Sequence, residues 1–159
     1  MQRTARRWTV AALATVIAMG AGGTAAHAAG EQSVVAEVTS GPFKLKVTAN
    51  RAAGTRSNQS TGTFDAETKV GPLALMDLHG PVTCLDVRGN SVGLFYPIER
   101  STPSLLSMVG AGIYIYLKTD GKGRATNVQF LPVPFASVPG CRPLPAFLPA
   151  TGTATIQGS

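Results

Sequence analysis

The stretch Phe43-Lys44-Leu45-Lys46-Val47-Thr48-Ala49 decides the fold class. Phe43, Leu45, Val47 and Ala49 share one parity, and Lys44, Lys46 and Thr48 share the other. Successive side chains of a strand point to opposite faces, so such a stretch lays one face on a core and the other in water. The pattern recurs along the chain. Residues 62–68 alternate with Phe64 and Ala66 inward, and 73–78 form a further apolar patch. Val82 and Cys84 are expected to point inward from the next strand. Leu85 and Val87 take the other parity, which implies a bulge or two covered faces. Gly89-Asn90 is a tight-turn signal, because both residues tolerate positive φ, and 91–98 returns as the second arm of a hairpin. In 112–119, Ile113, Ile115 and Leu117 oppose Tyr114, Tyr116 and Lys118. Asp120-Gly121-Lys122-Gly123 then turns the chain into 126–131, and 153–157 closes the sheet.

Many short apolar runs broken by turn residues indicate an all-β domain. The expectation is a small antiparallel β-barrel or sandwich of about seven or eight strands. One short helix is expected at 101–110, with Ser101 or Thr102 as cap, Pro103 at the first helical position and Gly110 after the end. Residues 29–39 read as a lead-in segment in which Val34, Val35 and Val38 could begin an edge strand. Residues 40–159 read as a single β domain. Within it, 131–150 holds Pro132, Pro134, Pro139, Pro143, Pro145 and Pro149. Proline cannot donate to a sheet ladder, so this segment is expected to wrap the outside rather than form a central strand.

The start of the chain has a different character. Arg3, Arg6 and Arg7 precede an apolar run over 8–19, and the segment closes at Ala26-His27-Ala28. A basic region, an apolar region and a small-x-small site in that order read as a signal peptide, 1–28, cut between Ala28 and Ala29. The apolar run of about 12 residues is short of the roughly 20 that span a bilayer. No stable membrane insertion is expected after cleavage, and the protein is expected outside the cell. The general secretory route fits better than the twin-arginine route, because the residues after Arg6-Arg7 suit the latter poorly.

Without the leader, eleven basic residues face eight acidic ones, a net charge of about +3. The cations are scattered, whereas a nucleic-acid binder needs a concentrated stripe with stacking aromatics, so no nucleic-acid partner is expected. Cys84 and Cys141 are the two cysteines. In an oxidising compartment they are expected to form one bridge, which constrains the unfolded chain by roughly 4 kcal/mol. Two thiols and His79 make a poor zinc site. No metal and no cofactor are expected.

Several strings invite chemical readings. Leu148-Pro149-Ala150-Thr151-Gly152 matches a sortase signal, yet the seven residues after it contain neither an apolar run nor a basic tail, so a Pro-rich turn is the better reading. His79 shares a parity with Asp77, and Asp65, Glu67, Asp86 and Glu99 are further carboxylates for acid–base work. A nucleophile elbow is missing, because Gly89-Asn90-Ser91-Val92-Gly93 lacks the required pattern. Tyr114 and Tyr116, with Phe95, form a possible ligand face, and a cross-strand aromatic pair is the alternative.

The combination of the strand at 43–49, Gly80-Pro81-Val82-Thr83-Cys84-Leu85-Asp86-Val87-Arg88-Gly89-Asn90, Thr119-Asp120-Gly121 and the late Cys141 resembles small secreted β-domain proteins of high-GC Gram-positive bacteria, the actinobacteria. The resemblance implies a secreted β-domain and carries no catalytic residue across. The expected role is a non-enzymatic binding or surface-interaction module for a small molecule or an extracellular protein. A small hydrolase or isomerase using His79 with a carboxylate is the alternative.

Overall fold

Strand β1 (Gln32–Ser40) runs into β2 (Phe43–Arg51) through Gly41-Pro42, where Gly41 takes a φ of 56° that L side chains rarely adopt. A computed structural model describes residues 30–70, 73–101 and 110–158. After β2 come a single 3-10 turn (Ser57–Gln59), β3 (Thr61–Val70), β4 (Leu73–Pro81), β5 (Cys84–Arg88), β6 (Ser91–Pro97) and the short β7 (Arg100–Ser101). The chain continues with β8 (Gly112–Thr119), β9 (Ala125–Val133), the short β10 (Leu148–Pro149) and β11 (Thr151–Gln157). Two antiparallel sheets result, one in the order β11-β1-β2-β3-β4-β7 and the other β10-β9-β8-β6-β5. They face each other as a sandwich, not a closed barrel. Among the described residues, nine strands have five or more residues, against an expected seven or eight.

The alternation seen in the sequence fills the space between the sheets. Val34, Leu45, Val47, Phe64 and Leu78 from the first sheet meet Leu85, Leu94, Ile115, Leu117 and Val128 from the second, all fully or almost fully buried. Two of the places where the chain changes sheets are hydrogen-bonded corners. Val82 donates its N–H to Gly62 and Thr83 donates to Phe95, so the corner after β4 belongs to both sheets. Ala150 donates to Thr126 and Ala154 donates to Gly123, which does the same between β10 and β11. The sortase-like string therefore lies across this second corner, with its backbone committed to both ladders.

Two expectations need correction. Residues 32–39 are not a lead-in: β1 lies inside its sheet, paired with β11 on one side and β2 on the other. Val34, Ala36 and Val38 point inward, while Val35 is 56% exposed and interrupts the pattern a reader would follow. Cys84 does not point into the inter-sheet core. Leu85 and Val87 do, and Cys84 lies on the other face of β5 beneath a second covering layer. Two covered faces, not a bulge, explain the broken parity. That layer is the Pro-rich strap after β9, which packs Val138 and Cys141 against Cys84 and Phe95. Residues 102–109, which hold most of the expected helix, and the expected leader with its expected Ala28/Ala29 cleavage point lie outside the described residues.

The exposed edge of β5 is closed by side chains. Gln32, 3% exposed, donates from Nε2 to the Val87 carbonyl and accepts the Val87 N–H at Oε1, at 3.0 and 2.8 Å. Arg51, 5% exposed, donates to the Leu85 carbonyl at 3.2 Å and lies 3.8 Å from Asp86. An unpaired strand edge is a template for aggregation, and these two residues occupy it.

Candidate functional site

Tyr114, Tyr116 and Phe95 stand together on the outer face of the second sheet, with ring centroids 5.0 Å apart for Phe95–Tyr114 and 5.9 Å for Tyr114–Tyr116. They do not line an open cavity, because the strap covers them. Phe95 is fully buried and Tyr116 is 5% exposed. The Tyr114 hydroxyl donates to the Gly140 carbonyl at 3.3 Å, and Cys141 is bridged to Cys84 beside them, with Cα atoms 6.0 Å apart. Gly93 permits the close approach: a Cβ there would lie 1.9 Å from the Cys141 carbonyl oxygen. The expected ligand face is thus the bed of a structural strap. Burial raises the pKa of both tyrosines above its ordinary value, so both stay neutral phenols.

Charged residues gather on the outer face of the first sheet. Register places Glu37, Lys46, Asp65 and His79 in one row across four strands, and Lys44, Glu67 and Asp77 in the next. Lys44 reaches Glu37 at 3.1 Å and Lys46 reaches it at 3.5 Å, which holds the Glu37 carboxyl below its usual range. His79 lies between two carboxylates. Its Nδ1 meets Asp65, and its Nε2 meets Asp77 at 2.7 Å. The hydrogen bond to Asp65, with the Asp77 charge assisting, raises its pKa above the ordinary histidine value. Glu99 lines a shallow concavity shared with Asp65 and His79, while Asp86 sits on the other sheet, bound to Arg88 at 2.9 Å.

This cluster is poorly suited to triad chemistry. A triad histidine gives one ring nitrogen to a carboxylate and keeps the other for the nucleophile's proton. Here both nitrogens face carboxylates, which stabilises the imidazolium and leaves no free lone pair on either. Among the described residues, no group of three or more His, Cys, Asp or Glu side chains is arranged to hold a metal ion.

A further concavity is apolar. Where the two sheets separate at the β1–β2 turn end of β2, a cleft of about 330 Å³ opens between them. Leu45, Phe64, Ala66 and Leu78 form one wall, and Ile113, Phe130 and Pro132 form the other. Phe43, 37% exposed, and Leu148, 42% exposed, stand at the rim, and the Phe43 ring lies 5.6 Å from that of Phe130. Among the described residues, Lys44 is the one charged residue lining it. The volume falls in the range of small-molecule sites, roughly 300–1,000 Å³. Sequence reading missed this cleft because each wall residue obeys the alternation of a core position. The one available signal was a bulky aromatic, Phe43, at the start of an inward-facing row whose other members are smaller.

No helix among the described residues is long and apolar enough to cross a membrane. The chain matches no protein-family model, no curated protein and no solved structure.

Proposed function

We propose that this protein is exported and acts as a non-enzymatic binding module that takes a small apolar molecule into the cleft between its sheets. The carrying observation is the lining of that cleft, which is apolar on both walls and has Lys44 alone as a charge at its edge. Removing apolar ligand surface from water contributes roughly 25 cal/mol per Å², and a preformed cleft adds little ordering cost. The leader, the Cys84–Cys141 bridge and the absence of free cysteines among the described residues support an extracellular setting.

Titration with N-phenyl-1-naphthylamine, a neutral apolar fluorophore, tests the reading. Saturable enhancement at one site per chain is expected. Ala66→Phe, which places a ring in the cleft, and Leu148→Trp at its rim should each weaken it about tenfold or more. Unsaturable enhancement, or enhancement that both variants leave intact, would remove the proposal. A hydrolase or isomerase built on His79 is the second reading, favoured by the two carboxylates beside that ring. It requires a histidine that can accept a proton near neutral pH, and the doubly engaged ring argues against that.

A further inference from the structure

We infer that the strap side of the molecule docks reversibly on an anionic phospholipid surface, independently of the cleft. Large apolar side chains are exposed unevenly. Leu131, Phe135, Leu144 and Phe147 all belong to the stretch 131–147, with Phe147 at 74% and Leu144 at 52%. Pro143, Leu144, Pro145 and Phe147 wall a groove of about 520 Å³ whose other side is Ser91 and Lys118. Lys118 continues the outward row of Tyr114 and Tyr116, and Arg142, also exposed, precedes Pro143. The β8–β9 turn brings Lys122 and Arg124 to the same end, because Thr119 donates to the Asn90 carbonyl and Gly121 abuts the Asn90 side chain.

The acidic groups at this end are already engaged. Asp120 accepts the backbone N–H of Lys122 and of Arg124, at 2.7 and 3.1 Å, and Asp86 binds Arg88. The opposite face of the molecule carries Glu37, Asp65, Glu67 and Asp77 against Lys44, Lys46 and His79. This polarity turns the strap side toward a negative surface. The apolar side chains cannot retreat into the core: the sheet beneath is occupied by Phe95 and Tyr114, the backbone is fixed by prolines, and the bridge holds Cys141. Apolar tips beside cations, held outward, suit the boundary between lipid headgroups and acyl chains.

The test is co-sedimentation of protein recovered from the medium of an expressing strain, its intact mass checked, with vesicles of phosphatidylglycerol and phosphatidylcholine in equal parts or of phosphatidylcholine alone. Retention is expected on the anionic vesicles, and it should fall as salt rises from about 0.1 M to 1 M. Lys118→Ala should weaken it about fivefold, and Leu144→Ser combined with Phe147→Ser about tenfold or more. These exposed positions should leave the thermal melt unchanged. No retention on anionic vesicles, equal retention on neutral ones, or retention that the variants do not alter would overturn the inference. So would a dimer in light scattering that Phe147→Ser abolishes, since the patch would then belong to a second copy of the chain.

Discussion

Tyr96 carries a hydroxyl into the core with its ring stacked on Phe64 at 4.2 Å, and that hydroxyl has no hydrogen-bond partner among the described residues. Burial alone pushes its pKa far above that of a free phenol. An unpaired buried hydroxyl costs about 1–3 kcal/mol. Tyr96→Phe keeps the ring and removes the cost, so urea unfolding should show a gain of about 1 kcal/mol; a loss would mean that the hydroxyl is bonded. His79 offers a second test at this scale. Its folded pKa is raised, so its contribution to stability is complete below the unfolded value near 6.5 and fades as pH rises through the folded value. The ring is half exposed, so solvent screening keeps the effect small. In a proton NMR titration its midpoint should lie above about 6.5, and Asp65→Asn should lower it. A midpoint at or below the ordinary value would contradict the two-carboxylate geometry.

Elements test how the layers hold one another. Gly93 touches the Cys141 carbonyl, so Gly93→Val drives a side chain into the strap and should cost about 1–3 kcal/mol while opening Tyr114 to solvent. Protection of the strap amides in hydrogen exchange should fall before that of β8. Gln32→Ala leaves both backbone groups of Val87 unpaired at the β5 edge and should cost about 1–3 kcal/mol. The sequence made some of these elements readable and hid others. Strands β2 and β3 follow an alternation that needs no partner to be recognised, and β8 alternates aliphatic with aromatic side chains although both its faces are covered. The strap was readable because prolines exclude a ladder and Cys141 needs a mate. Strand β1 was not, because Val35 breaks its alternation and its partner β11 lies more than a hundred residues away. The facing of Cys84 was hidden for a related reason: parity fixes two faces but cannot say which one the strap covers. The apolar cleft was the least readable feature, since its walls carry the same residue types as the core.

Across the whole molecule, three layers are tied by one bridge between the middle of the chain and its tail. The bridge spans a separation of 57 residues. Cys84→Ser with Cys141→Ser should therefore lower stability by roughly 4 kcal/mol in denaturant unfolding, with the sandwich intact and the strap released. A loss below about 1 kcal/mol would show that the strap is held by packing alone. The two functional proposals occupy different parts of this body, the cleft between the sheets and the outer side of the strap. The most direct measurement is a methyl NMR titration with N-phenyl-1-naphthylamine. Shifts are expected at Leu45, Leu78, Ile113 and Leu148, which line the cleft, and not at Val92 or Leu94 deep in the core. Shifts confined to Leu144 and Val138 on the strap, or no shifts at all, would contradict a ligand site between the sheets.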